Sequence, residues 1–296
     1  MASKWGILSS VTATLSITAA YAFVPLEEAA LPALRDELLA FGQAHGMEGH
    51  TLIAPEGING TVGGTAEAID AWKTLLQSKF GSIVFKDSAA SRSVFKRWTV
   101  RIKPEIVGLK KREFVPVGSR NHLSPEEWQK VLDEGDVVLV DARNDYEHRI
   151  GRFKGSLPAE TNSFHDFPQY VQSCGIPKDK KVLMYCTGGI RCEKAIMEMQ
   201  SQGYQNVWQL EGGILAYLEK FPHRSFEGEC FVFDKRVAVG QELEPSARYG
   251  LCPHCGYAGD QLIACHCGTQ KRICEDCAKQ PKRRTCSKRC ANDCKK

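Results

Sequence analysis

The sequence predicts a mixed α/β protein: an antiparallel α/β domain, an open parallel α/β domain and a small cysteine-rich segment. Three observations carry this prediction. Residues 17–104 alternate extended and helical runs in the order βαββαβ. The apolar runs within 137-VVLVDAR-143, 181-KVLMY-185 and 206-NVWQL-210 read as parallel strands covered on both faces. Nine of the thirteen cysteines fall within residues 252–296.

Residues 1–16 form a leader of unassigned role. One early lysine and an apolar stretch diluted by six Ser or Thr from Ser9 to Thr18 make a poor secretory signal. The stretch 17-ITAAYAFVPL-26 reads as a first strand. A helix follows at about 27–44, with Leu31, Leu34, Leu38 and Phe41 on one face. Two short extended runs, 50-HTLIAP-55 and 58-INGTVGG-64, surround a Glu-Gly turn. A second helix starts after Thr65, a natural N-cap, and buries Ala68, Ile69, Trp72, Leu75 and Leu76. The runs 82-SIVFKDS-88 and 98-WTVRIKP-104 complete the domain. This order is the split-βαβ, ferredoxin-like (acylphosphatase-like) arrangement, which by itself names no function.

The segment 92-RSVFKRWTVRIK-103 interleaves Arg92, Lys96, Arg97, Arg101 and Lys103 with Phe95 and Trp98. Cations hold phosphates and aromatic faces stack on unpaired bases, so Arg92, Lys96, Arg97, Trp98 and Arg101 are candidate RNA-binding residues. The competing reading is an edge strand with a solvated basic face. A charged linker covers residues 105–121.

Residues 122–225 form the second domain. Ser124 and Pro125 open a helix, and the three apolar strands follow with helices between them, one at about 192–202. Ligands of open α/β sheets bind beyond the carboxyl ends of the strands, where Cys186 falls. The loop Thr187, Gly188, Gly189 and Ile190 can turn its N–H groups inward as an anion nest. A helix N-terminus near Cys192 and the cation Arg191 add positive potential. Cys186 is therefore expected to titrate below the free value of about 8.5 and to act as a nucleophile or persulfide carrier.

Three readings of this loop compete: a structural buried cysteine, a cysteine phosphatase and a sulfur-handling enzyme. The glycines and arginine have no evident packing purpose. Phosphatase loops place five residues between Cys and Arg, whereas four stand here, a ring better suited to sulfur than to phosphate. The segments 137-VVLVDARNDYEHRIGRFKGSLP-158, 185-YCTGGIR-191 and 208-WQLEGGILAY-217 resemble rhodanese domains. Asp141, Arg143 and Glu147 match that family's early charged positions and read as fold-supporting ion pairs. Cys192 could resolve a persulfide or simply face the core. Cys174 and Cys230 read as structural.

The tail, residues 226–296, is basic. Residues 267–296 hold ten Lys or Arg against three Asp or Glu, which leaves −3 of the total +4 for the remaining chain. Such a tail suits either a polyanionic partner or solubility. The pairs Cys252/Cys255 and Cys274/Cys277 have zinc-ligand spacing. Cys265, Cys267, Cys286, Cys290 and Cys294 are further candidate ligands, with His254 and His266 nearby. One or two zinc ions are expected, with an iron–sulfur cluster as the alternative. Lys282, Arg283, Arg284, Lys288 and Arg289 lie between ligands, as in a module resting on nucleic acid. Metal-like spacing argues for a reducing, cytoplasmic setting. No run reaches the roughly 20 apolar residues of a bilayer span.

Taken together, 52-LIAPEGINGTVGG-64, 98-WTVRIKPEIVGL-109, 185-YCTGGIRCEKA-195, 210-LEGGILAYLE-219 and 228-GECFVFDKRVAV-239 resemble the bacterial tRNA uridine hydroxylases. The resemblance implies an oxidoreductase that uses molecular oxygen to form 5-hydroxyuridine at the tRNA wobble position. It implies Cys186 as the active-site residue and the anticodon loop as partner. No flavin or nicotinamide fingerprint and no facial His-His-carboxylate triad can be assigned. Sulfur transfer to tRNA or another acceptor, and a non-catalytic RNA-binding role, are the alternative functions.

Overall fold

The computed structural model describes residues 15–116 and 121–293. The leader before Leu15, residues 117–120 of the linker and Cys294 lie outside the described residues.

Strand β1 (Leu15–Phe23), helix α1 (Leu31–Ala44), β2 (Glu48–Ala54), β3 (Gly57–Gly64), α2 (Ala66–Phe80), β4 (Val84–Ala90) and β5 (Trp98–Ile102) follow in the predicted order. Helix α1 starts later than expected because a 3-10 turn over Glu28–Ala30 precedes it. Thr65 caps α2 by accepting the Ala68 amide at 3.2 Å. The strands pair in the order β4-β1-β3-β2-β5, all antiparallel except β5, which joins β2 in parallel.

Both helices cover one face, where Leu38, Ile69, Trp72 and Leu76 pack on Ile53, Ile58 and Val62. Strand alternation sends Tyr21, Lys86, Asn59 and Arg101 to the other face, which carries no helix of this domain. That bare face meets the second domain.

The second domain comprises β6 (His122–Leu123), α3 (Pro125–Glu134), β7 (Val138–Asp141), α4 (Asp145–Ile150), β8 (Gly151–Phe153), β9 (Leu157–Pro158), α5 (Phe167–Ser173), β10 (Val182–Tyr185), α6 (Ile190–Ser201), β11 (Val207–Leu210) and α7 (Gly213–Lys220). Its sheet runs β6-β11-β10-β7-β9 with every pair parallel. The edge strands β6 and β9 are two residues each, too short to announce themselves by periodicity. Ser124 and Glu127 form a full capping box on α3. Beyond α7, β12 (Phe226–Gly228) returns to pair with β8, and β13 (Cys230–Phe231) pairs with β14 (Ala238–Val239). The cysteine-rich tail folds as the hairpins β15 (Gly250–Leu251)/β16 (Ala258–Gly259) and β17 (Gln261–Ala264)/β18 (Gln270–Ile273). Two short helices, α8 (Glu275–Ala278) and α9 (Lys288–Asp293), complete it.

Helix α6 fastens the two α/β domains together. Lys194 is fully buried, and its ammonium reaches Glu56 at 2.7 Å and Glu105 at 2.6 Å. Glu56 also accepts the Ile106 amide at 2.7 Å, which pins the linker to the β2–β3 turn. Removing the lysine would leave two carboxylates buried without a counter-charge. Lys194→Met is expected to destabilise the protein by about 3–5 kcal/mol, measured by urea unfolding.

Candidate active site

Cys186 follows the last residue of β10, at the carboxyl end of the parallel sheet, and is fully buried. The Gly189 amide donates to its sulfur at 3.1 Å. The loop's carbonyls are held from elsewhere: Ile214 N–H donates to Cys186 O at 3.0 Å and Leu215 N–H to Thr187 O at 3.2 Å. With the first turn of α7 holding these carbonyls, the amides that follow are free to face the sulfur. This close approach requires Gly213, where φ is +68° and a Cβ would stand 2.5 Å from Cys186 O and 2.7 Å from Thr187 O.

Helix α6 begins at Ile190, so Arg191 and Cys192 lie in its first turn. Burial raises the Cys186 pKa, but the Cys192 thiol, the Arg191 charge and the Arg191 and Cys192 amides outweigh it and bring it to about 5. Cys192 is displaced the other way, well above its usual value, by burial and by the hydrogen bond and charge of Cys186. The two sulfurs are thus displaced in opposite directions, Cys186 toward thiolate and Cys192 toward thiol. Within the Thr187–Ile190 stretch the amide that donates to the sulfur is that of Gly189, while the Cys192 amide donates to Gly189 O at 3.0 Å. Thr187 directs its hydroxyl to Glu147 Oε1 and Phe231 O instead, both at 3.4 Å.

Arg191 is fixed rather than free. Its guanidinium makes a bidentate pair with Glu147 at 2.6 and 2.8 Å. Glu147 belongs to α4, which is anchored by a buried cluster around Asp141. Arg143 donates to both Asp141 oxygens at 2.9 and 2.7 Å, and His148 Nδ1 and Tyr185 OH each stand 2.9 Å from Oδ2. Burial raises the Asp141 pKa, but Arg143 and His148 overcome it and hold the carboxyl well below the carboxylate range. These acidic and basic residues support the loop from behind.

The first domain closes the front. Tyr21 OH sits 2.9 Å from where a Cβ on Gly189 would lie and donates to Glu193 Oε1 at 2.9 Å. His122 Nε2 approaches the other Glu193 oxygen at 3.3 Å. Lys86 Nζ stands 4.9 Å over the Tyr21 ring. These groups border an interdomain cleft of about 240 Å³, whose walls include Glu211 and Gly212. Sequence reasoning missed Tyr21, Lys86, His122 and Glu193 as site residues. The local hint is a tyrosine among the alanines of 19-AAYA-22.

Residues 15–106 match the UPF0176 acylphosphatase like domain, 124–220 the Rhodanese-like domain and 227–291 the Rhodanase C-terminal family. A protein of Bdellovibrio bacteriovorus named tRNA uridine(34) hydroxylase is 47% identical over 283 residues, covering 93% of this chain and 80% of that one. A Deinococcus radiodurans protein of the same name is 41% identical over 271 residues, 88% of each chain. The chain belongs to the tRNA uridine(34) hydroxylase family. The expected resemblance is borne out.

In this family member the basic segment does not join the cleft. It runs from the end of β4 to β5, with Val94 and Phe95 buried against Ile17 and Ala90 and with Arg92, Lys96, Arg97, Arg101 and Lys103 exposed. Trp98, half-buried, packs on the first domain's core. Its indole N–H donates to Leu39 O at 3.0 Å and its ring meets Trp72 edge-on, with centroids 5.4 Å apart. Phe95 is likewise buried, against Ile17, Ala90 and Val94.

The tail brings eight of its cysteines into two groups, Cys252/Cys255/Cys274/Cys277 and Cys265/Cys267/Cys286/Cys290, each with its sulfurs within 4.8 Å of one another. All the described cysteines are free of disulfides. Four thiols converging in this way suit a tetrahedral metal ion with ligand bonds of about 2.3 Å. The ligand pairs interleave, first with third and second with fourth. His254 and His266 stay outside both groups, with Nε2 at 2.9 Å from Thr285 O and 3.3 Å from Cys290 O respectively. Lys282, Arg283, Arg284, Lys288 and Arg289 are exposed around the second group. Among the described residues no helix is long and apolar enough to cross a membrane.

The loop makes a titration prediction. The 240 nm absorbance of the wild type minus that of Cys186→Ala should rise with pH about a midpoint near 5. In a Cys192→Ala background, with one thiol donor lost, that midpoint should move up.

Proposed function

We propose that this protein hydroxylates C5 of the wobble uridine of tRNA, with Cys186 as nucleophile and molecular oxygen as co-substrate. The observation that carries the reading is the fully buried Cys186 sulfur, which accepts the Gly189 amide at 3.1 Å beside the Arg191 charge, a setting that favours the thiolate. Relatives that cover most of the chain carry the hydroxylase name.

The thiolate adds to C6 of the uracil, and the C5–C6 π pair moves into an enolate over C5, C4 and O4. C5 takes up oxygen as a hydroperoxide after one proton is supplied. A two-electron donor of the thiol class cleaves the O–O bond, leaving hydroxyl on C5, releasing water and becoming a disulfide. Loss of the C5 proton then expels the thiolate and restores the double bond. The anticodon loop is already unpaired, so presenting its base costs less than opening a duplex. Arg92, Lys96, Arg97 and Arg101, with the basic tail, hold the RNA backbone. Zinc suits both four-cysteine groups and would supply folding energy to the tail rather than chemistry. The setting is the cytoplasm, where tRNA and free thiols coexist.

Nucleoside mass spectrometry of tRNA from a deletion strain tests the reading. 5-Hydroxyuridine should disappear, return with the wild-type gene and stay absent with Cys186→Ala. Full restoration by Cys186→Ala would overturn the role of the cysteine, and loss of a thiouridine instead would point to sulfur transfer. Elemental analysis of the purified protein should find two zinc ions per chain, one for each cysteine group. Cys252→Ser should lower the content of both sites, because the interleaved ligands share one fold.

A further inference from the structure

Lys86 lies on β4, at the edge of the first sheet, yet its side chain reaches across to the cysteine loop of the second domain. A Cβ on Gly188 would meet its Cδ at 3.8 Å, and one on Gly212 would meet its Cε at 3.7 Å. It is half-buried, and its contact through Nζ is the face of the Tyr21 ring. Among the described residues it makes no ion pair. Glu193, one of the two carboxylates that border the cleft with it, is already engaged by Tyr21 and His122. A cation withdrawn from water without a salt bridge is costly to the fold, and such groups gather where charge is handled.

The cleft it borders holds about 240 Å³. That is below the roughly 300–1,000 Å³ of pockets for drug-sized ligands and suits a single pyrimidine. Resting on the reading of the protein as a uridine hydroxylase, we propose that this cleft receives the uracil and that Lys86 is a second catalytic residue. Its ammonium would neutralise the charge that forms on O4 as the Cys186 thiolate adds to C6. In that step the sulfur lone pair makes the C–S bond and the π pair moves to O4. The ammonium donates a hydrogen bond there and keeps its proton. The active site is then composite, with the nucleophile from the rhodanese-like domain and the cation from the N-terminal domain.

The groups around Lys86 in the cleft are Tyr21 from β1, His122 from β6, Glu193 from α6 and Glu211 ahead of α7, and Cys186 lies behind the Gly188 wall, within reach of the lysine's charge. Burial lowers the Lys86 pKa to about 8, against the pull of Cys186, Glu193 and Glu211. A step that needs both charges should therefore fail as pH falls through about 5, where the thiolate is protonated, and as it rises through about 8, where the ammonium is lost.

Exchange of the uridine C5 hydrogen with D2O reads this addition without any oxidant. The probe is an anticodon stem-loop RNA incubated under argon with the full-length protein, analysed by nucleoside mass spectrometry. Lys86→Met should slow exchange about 100-fold, as loss of an oxyanion donor does, and abolish the decline at high pH. RNA binding should stay within threefold of wild type. Lys86→Arg, which keeps the charge, should restore exchange to within tenfold of wild type. The proposal falls if Lys86→Met exchanges within threefold of wild type across the pH range. It also falls if Arg does not rescue, or if a wild type that makes 5-hydroxyuridine shows no exchange. A wild type that makes no 5-hydroxyuridine in cells sinks the hydroxylase reading instead.

Discussion

An ionised sulfur with no exposed surface is the constraint around which this molecule is arranged. Taking a thiolate out of water costs several kcal/mol unless donors and positive charge replace the solvent. The replacement here consists of the Gly189 amide, the positive end of α6 and the Arg191 guanidinium, with the Cys192 thiol beside them. Each must in turn be held. The first turn of α7 holds the loop carbonyls, Glu147 holds Arg191, and the Asp141–Arg143–His148 cluster anchors the helix that carries Glu147.

The first turns of α6 distribute this support. Four consecutive side chains leave the helix about 100° apart and reach four separate sets of neighbours. Arg191 meets Glu147, Cys192 meets Cys186, Glu193 meets Tyr21 and His122, and Lys194 meets Glu56 and Glu105. The residues that polarise the nucleophile are thus neighbours of those that lock the two domains together. Opening the interdomain cleft and unsettling the thiolate are coupled through one short stretch of helix.

The cysteine tail follows another logic. Its core is small, made of Ile263, Ile273 and the cysteines themselves. So little apolar burial cannot hold hairpins as short as β15/β16 and β17/β18, and metal-type cross-links are the usual remedy at this size. Interleaving places every segment of the tail between ligands of one group or the other. The exposed Lys and Arg between them are thereby presented at defined positions.

What was legible in the sequence was what contiguous residues build. The cysteine loop, the helix caps at Thr65 and Ser124 and the βαββαβ order all depend on neighbours in the chain, and local geometry suffices to read them. The half-buried packing of Trp98 follows from strand alternation, which puts it with Val100 on the helix side and leaves Thr99 and Arg101 outside; composition alone does not carry that parity. Tertiary structure alone decided which cysteines share a site, because the four ligand pairs allow several pairings of similar spacing. It alone brought Tyr21 and Lys86 to the glycines of the cysteine loop, across about a hundred residues of chain or more, because the bare face of one sheet needed a partner and the second domain supplied it. A sequence can specify the group that is held and most of its immediate cradle; what comes to face it depends on how two separately folded surfaces bury one another.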